Sequence, residues 1–154
     1  MTAASPRILF VCLGNICRSP TAEAVFAQRA AKAGLQVVVD SCGTSGWHMG
    51  EAPYPPAQTA AAARGYDLAP LRARQIRAED AAAFDHILVM DQRNLADVQA
   101  LGPEFAPRLF MSYAPQFGLE VPDPWYSGEF GLVLDMIEAA SDGLIAALQA
   151  KKGR

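Results

Sequence analysis

Cys12 and Arg18 are separated by five residues, Leu13-Gly-Asn-Ile-Cys17, and are followed directly by Ser19-Pro20. A tight loop of this kind turns successive backbone N–H groups inward and makes an anion-binding concavity. If a helix starts at its end, the helix dipole adds positive potential. A cysteine at the mouth of such a cup is stabilised as the thiolate, the nucleophilic form. Arg18 supplies a planar, bidentate donor pair suited to phosphate oxygens. Gly14 lets the backbone approach an anion, and Asn15 tolerates left-handed geometry. Ser19 can donate to the sulfur and help it leave in a second step. A strand-end cysteine can also be just a small hydrophobe. Thiolate attack on a phosphate ester needs a proton donor for the departing oxygen. Asp123, in Val-Pro-Asp-Pro-Trp-Tyr, is the candidate, although an Asp before proline is also a common turn residue.

The flanking sequence must hold these groups. Arg7–Cys12 is a continuous apolar run, as expected of a strand buried on both faces. Ser19 reads as a helix N-cap and Pro20 as the first helical residue. Glu23 follows in the first turns, where the dipole favours it. The helix runs to Lys32 and stops at Gly34. A second strand, Gln36–Ser41, completes a strand–helix–strand unit with a right-handed crossover. Further strands are expected at 84–90 and 108–111. Helices are expected at about 56–64, 78–83, 92–101 and 129–149, with long loops at 42–56 and 112–127. Alternating strands and helices imply an α/β domain with a parallel sheet covered on both faces. Its ligands belong at the carboxyl ends of the strands.

Composition narrows the function. At 154 residues the chain fits one domain, spanning 1–154. With 51% hydrophobic and 19% charged residues it is not disordered. A net charge of −3 disfavours general nucleic-acid binding, so any phosphate site is local. No apolar run reaches the roughly 18 residues of a membrane span. The three cysteines, at 12, 17 and 42, do not form a disulfide framework. With only His48 and His86 beside them, they do not form a zinc set either. Met1 to Pro6 lacks the features of a signal peptide. The expectation is a reduced, cytoplasmic protein with no metal, no cofactor and no membrane insertion.

Val11-Cys-Leu-Gly-Asn-Ile-Cys-Arg-Ser-Pro-Thr-Ala-Glu23 resembles the signature loop and first helix of the low-molecular-weight protein tyrosine phosphatases. Asp123-Pro124 followed by two aromatics resembles that family's general-acid loop. Asp40-Ser41-x-Gly-Thr, Trp47, Ala73-Arg-Gln-Ile76 and Met90-Asp91 fall in the family's order, so the resemblance spans nearly the whole chain. It implies a single-domain, three-layer α/β sandwich. A four-stranded parallel sheet is flanked by helices, and the phosphate-binding loop follows the first strand. It also implies hydrolysis of phosphotyrosine and aryl phosphate monoesters through a phosphocysteine, without a metal. Cys12 is then the nucleophile, Arg18 the phosphate ligand, and Asp123 the acid and later the base. Leu13, Gly14, Asn15, Ile16, Cys17 and Ser19 form the binding loop.

Other residues carry over less directly. Trp47, Trp125 and Tyr126 form an aromatic slot for a flat ring, although Trp47 could merely pin its loop. Asn15 and Ser41 match a network that holds the loop. Where relatives often carry a histidine in that network, this chain has Leu71, leaving Asn15 and Ser41 with one partner fewer or with a water. Asp91 reads either as a support behind Arg18 or as a helix N-cap. His48 reads as a solvated loop residue. The implied partners are phosphotyrosine-containing proteins, an autophosphorylated tyrosine kinase among them.

Rival readings are weaker. Thioredoxin-coupled arsenate reductases resemble this sequence but need two later cysteines, and none follows Cys42. Phosphoarginine phosphatases carry threonine where Ile16 stands and a smaller pair after Asp-Pro. A phosphate-reading module without turnover would lack Cys12 or Asp123. Redox sensitivity is a further expectation: Cys17, or less readily Cys42, would capture an oxidised Cys12, unless Cys17 only packs the loop.

Overall fold

In the computed structural model, which describes residues 5–152, the chain alternates strands and helices. Four strands form one sheet: β1 (Arg7–Cys12), β2 (Val38–Gly43), β3 (His86–Val89) and β4 (Pro107–Leu109). Their order is β2-β1-β3-β4 and all three pairings are parallel. The helices are α1 (Arg18–Lys32), α2 (Pro55–Ala62), α3 (Asp80–Ala83), α4 (Gln92–Gln99), α5 (Pro124–Ser127) and α6 (Phe130–Lys152). Residues 1–4 and 153–154, parts of the expected 1–154 domain and of the Met1–Pro6 segment read above, lie outside the described residues. No helix among the described residues is long and apolar enough to cross a membrane.

The alternation of β1 builds two cores. Ile8, Phe10 and Cys12 face α1 and α6, where they meet Phe26, Ile137 and Leu144. Leu9 and Val11 face the opposite side with Val98 of α4 and Phe105. Phe10 packs edge-on against Phe26 and Phe110, with ring centres 5.7 and 4.9 Å apart. Each fully buried side chain of this kind contributes about 1.5–3 kcal/mol. The strand that ends in Cys12 is therefore the best-anchored segment near the site.

Some local expectations differ from the structure. β2 lies two residues later than expected, because its ladder begins where Arg7 of β1 pairs with Val38. Its far end is Gly43, where a Cβ would stand 2.7 Å from the Leu13 carbonyl oxygen. Strand β4 is shorter than expected and passes directly into a 3₁₀ turn at Phe110–Tyr113. The helix α1 starts at Arg18, and its N-cap position is Cys17, with no side-chain cap. Ser19 is thus not the cap. Its hydroxyl turns inward to the loop, toward the Cys12 sulfur. Glu23 lies beyond the first turn and bonds Ser41 instead of the helix end. Gly34, at φ 75°, does follow the end of α1, as expected of its stop.

Candidate active site

The loop from β1 to α1 closes over the carboxyl end of the central strand. Thr44 and Ser45 donate backbone N–H groups to the carbonyls of Cys12 and Leu13 at 2.9 and 3.0 Å. This bolts the loop to the segment after β2. Asn15 takes φ 57°, the left-handed region. The turn aims the Asn15 N–H at the Cys12 Sγ, 3.2 Å away. Ser19 Oγ lies 3.0 Å from the same sulfur. That hydroxyl accepts from Asn15 Nδ2 at 2.7 Å, and its one hydrogen is shared between the sulfur and the Cys42 carbonyl oxygen, 3.3 Å away. The Cys12 sulfur thus accepts from the Asn15 N–H, and a second hydrogen reaches it when the Ser19 hydroxyl turns from the Cys42 carbonyl. With no acidic residue in the first turn and no side-chain cap, the N–H groups at the start of α1 are arranged for an anion.

Arg18 is 3% exposed and leaves α1 beneath this loop. Its Nη1 donates to Asp91 Oδ2 at 2.7 Å and to the Val121 carbonyl at 3.0 Å. Its Nη2 is 3.7 Å from Asp123 Oδ2. Burial pulls the guanidinium pKa down, but Cys12, Asp91 and Asp123 outweigh it, and the net shift is upward. Arg18 stays charged. Asp91 fills both of its expected roles: besides pairing with Arg18, its Oδ1 caps α4 by accepting from the Asn94 N–H at 2.8 Å.

Asp123 reaches the same point from the far end of the chain. Val121 donates its N–H to the Met90 carbonyl at 2.8 Å, which ties this segment to the end of β3. Asp123 Oδ1 accepts from the Trp125 N–H at 3.1 Å and caps α5. Its Oδ2 is left facing Arg18. The turn and site readings of Asp123 are thus compatible in one conformation.

The expected residues converge on one cleft. Leu13, Gly14, Ile16 and Cys17 line it beside Cys12 and Arg18. Trp47, Trp125 and Tyr126 stand at its mouth with Asp123. The rim aromatics are open, Tyr126 being 82% exposed and Trp47 75%, so they make a shallow rim instead of a closed slot. Cys17 is buried, and burial above all, with Asp123 and Cys12 adding to it against Arg18, pushes its thiol up to about 12. Cys42 is fully buried on β2.

Three contributors were not evident from residue types. His48, expected in solvent, lines the cleft, and its Cδ2 lies where a Cβ on Gly14 would come within 3.1 Å. Tyr54 donates its N–H to the Ile16 carbonyl at 2.8 Å, and its ring backs Trp125 at 4.5 Å. Its position among Pro53, Pro55 and Pro56 was the available signal. Arg74 donates its N–H to Asn15 Oδ1 at 3.0 Å. Asn15 and Ser41 are therefore not short of partners: Ser41 also bonds Glu23. Leu71 sits apart from this network and packs on the core.

Comparison with known proteins bears on the family and the fold. Residues 7–154 match the model of the low molecular weight phosphotyrosine protein phosphatase family. A low molecular weight protein-tyrosine-phosphatase of Streptomyces coelicolor is 43% identical over 154 residues, covering 93% of each chain. YfkJ, the corresponding phosphatase of Bacillus subtilis, is 38% identical over 152 residues, covering 94% of this chain and 97% of its own. The crystal structure of YfkJ superposes with a TM-score of 0.90 at 35% identity, covering 97% of this chain and 98% of that one. The chain belongs to the low molecular weight phosphotyrosine protein phosphatase family.

Proposed function

We propose that this chain hydrolyses phosphotyrosine monoesters with Cys12 as nucleophile, Arg18 as phosphate ligand and Asp123 as proton donor and acceptor. The observation that carries this reading is the convergence of three groups. The Cys12 sulfur lies at the uncapped start of α1, Arg18 is held beside it, and Asp123 Oδ2 is 3.7 Å from Arg18 Nη2.

The phosphoryl group enters the loop, with its oxygens on the loop N–H groups and Arg18. The thiolate attacks phosphorus, the P–O bond to the phenol breaks, and Asp123 gives its proton to the departing oxygen. In the second step the Asp123 carboxylate takes a proton from water as the water attacks the phosphocysteine. The P–S bond breaks, and Ser19 O–H receives the returning charge on sulfur. Every group needed belongs to the chain.

Ile16 on the wall and Trp125 at the mouth favour an aromatic ester. An apolar wall alone discriminates by only about 1–3 kcal/mol. The depth from rim to sulfur must supply the rest by keeping the shorter phosphoserine from reaching Cys12. Within this reading the substrates are proteins carrying phosphotyrosine, an autophosphorylated tyrosine kinase among them. The three free cysteines fit a reducing, cytoplasmic setting.

The test is hydrolysis of an aryl phosphate in EDTA by the native protein and by Cys12→Ser. The native protein should turn over. The variant should be inactive while retaining vanadate affinity. Turnover by purified Cys12→Ser, or equal catalytic efficiency on phosphoserine and phosphotyrosine peptides, would overturn the reading.

A further inference from the structure

The conformation of the phosphate loop depends on Asn15, whose φ of 57° is the only positive one among the described non-glycine residues. Its amide is fully engaged. Nδ2 donates to Ser19 Oγ at 2.7 Å and to Ser41 Oγ at 3.0 Å, and Oδ1 accepts from the Arg74 N–H at 3.0 Å. These partners fix which end of the amide points where. Ser41 Oγ, accepting from Asn15, has one hydrogen of its own to give. It gives it to Glu23 Oε1, at 2.7 Å. A continuous chain of hydrogen bonds thus runs from Glu23 through Ser41 and Asn15 to Ser19 and the Cys12 sulfur. The catalytic steps above do not use Glu23.

Glu23 is half-buried and also lines an open groove between α1 and β2, with Ala27, Leu35 and Val39. Protons can reach it from solvent without passing the active site. We propose that Glu23 is a positioning residue for the phosphatase reaction. As a carboxylate it takes the Ser41 hydrogen and keeps the Ser41 oxygen available to Asn15; on protonation this hold on the loop is weakened. The inference rests on the reading of Cys12, Arg18 and Asp123 given above.

The step is a single proton transfer between Glu23 and water. Once protonated, Glu23 is itself a donor, and the Ser41 oxygen then faces donors on two sides. If Glu23 accepts through its remaining carbonyl oxygen instead, the bond loses its charge assistance, roughly half its strength. The charged groups facing Glu23 are Asp40 of β2 and Arg74. The Arg74 guanidinium is itself held by Asp40 at 3.0 Å and Asp80 of α3 at 2.9 Å. Burial raises the Glu23 pKa most, the Ser41 bond lowers it, Asp40 raises it and Arg74 lowers it. The result is about 7, so both forms are populated near neutrality.

The experiment compares kcat/KM for one aryl phosphate between native protein and Glu23→Gln from about pH 5.5 to 8.5. A shared substrate cancels the ionisation of the phosphate itself. Glutamine keeps an acceptor oxygen but never carries charge. The native-to-variant ratio should be near one at the acid end and rise roughly fivefold through a midpoint near 7, the size expected for loss of charge assistance in one hydrogen bond. In a Ser41→Ala background the same substitution should give a flat ratio. If Glu23→Gln does not fold, the ratio of native protein to Ser41→Ala should start above one at the acid end and rise through the same midpoint. A flat native-to-variant ratio overturns the inference. A pH-dependent ratio that persists without Ser41 also overturns it, since the effect would then be a direct field at the sulfur. A native protein inactive at every pH overturns the functional reading instead.

Discussion

Arg18 and Asp91 are joined by a 2.7 Å hydrogen bond beneath the phosphate loop, and the second oxygen of Asp91 caps α4 at the end of the neighbouring strand. One carboxylate therefore orients Arg18 and starts a helix. The two roles can be separated, because an amide can cap but cannot balance the buried guanidinium.

Asp91→Asn should leave α4 capped while weakening phosphate binding and destabilising the fold. Removing one partner of a buried pair costs about 3–5 kcal/mol. The lower end is expected here, since Asp123 and the Val121 carbonyl still face Arg18. Asp91→Ala should cost about 0.5–2 kcal/mol more by losing the cap. Urea unfolding of both variants checks this. Equal stability of the two would mean that the cap contributes nothing.

Asp123→Asn should keep the α5 cap and lose the proton. Turnover of phosphotyrosine should fall by roughly 10²–10⁴. The fall should be smaller for p-nitrophenyl phosphate, whose leaving group needs no proton. Equal losses on the two substrates would make Asp123 a loop-shaping residue only.

Glu23 should leave a mark on stability with a definite sign. Its folded pKa, about 7, lies above the ordinary value of 4.5, so between these pH values the folded state holds more protons than the unfolded one. Stability must then fall as pH rises across that window. Native protein should lose unfolding free energy relative to Glu23→Gln from about pH 4.5 to 7. Parallel pH–stability curves would contradict the assignment. On the inference above, the form that supports the loop is the form that costs stability.

Peroxide should inactivate the protein, and dithiothreitol should restore it through a Cys12–Cys17 disulfide. In that step the Cys17 thiolate attacks the sulfenic sulfur of Cys12, the S–S bond forms and hydroxide leaves. Because burial pushes the Cys17 thiol up to about 12, the disulfide should form slowly at neutral pH and faster as pH rises. Cys17→Ser should be inactivated largely irreversibly. Mass spectrometry identifies the link; a Cys12–Cys42 bond would show that Cys17 is not the capturing thiol.

The parts of the fold and cleft most legible in the sequence were those set by local chemistry. The apolar run Arg7–Cys12 is bounded as expected, because a strand buried on both faces leaves a continuous signal. The order of strands and helices followed from the same alternation, except for α5, which lies inside the expected 112–127 loop. Strand β2 was misplaced by two residues because its ends are set by pairing with β1, which lies elsewhere in the chain. Ser19 was misread as a cap because capping is its commonest local role, whereas here its hydroxyl accepts from the Asn15 amide and faces the sulfur. Glu23, Arg74 and His48 gave no local signal of their roles, and Tyr54 only its place among prolines. Each acts on the loop or its cleft across a gap in sequence, through Ser41, Asn15, Trp125 and Gly14 respectively.

The central place of β1 bears on which part of the cleft is lost first on heating. β1 is paired on both edges and covered on both faces, so its amide hydrogens exchange with solvent only when the whole molecule opens. Asp123 follows a peripheral segment, Pro115 to Glu120, that holds one short 3₁₀ turn and only exposed side chains, the kind of region that opens at a fraction of that free energy. Cys12 and Asp123 thus sit on units of different local stability. On the proposed reading, warming should detach Asp123 while the loop after β1 still stands, leaving a protein that binds oxyanions after it has stopped turning them over.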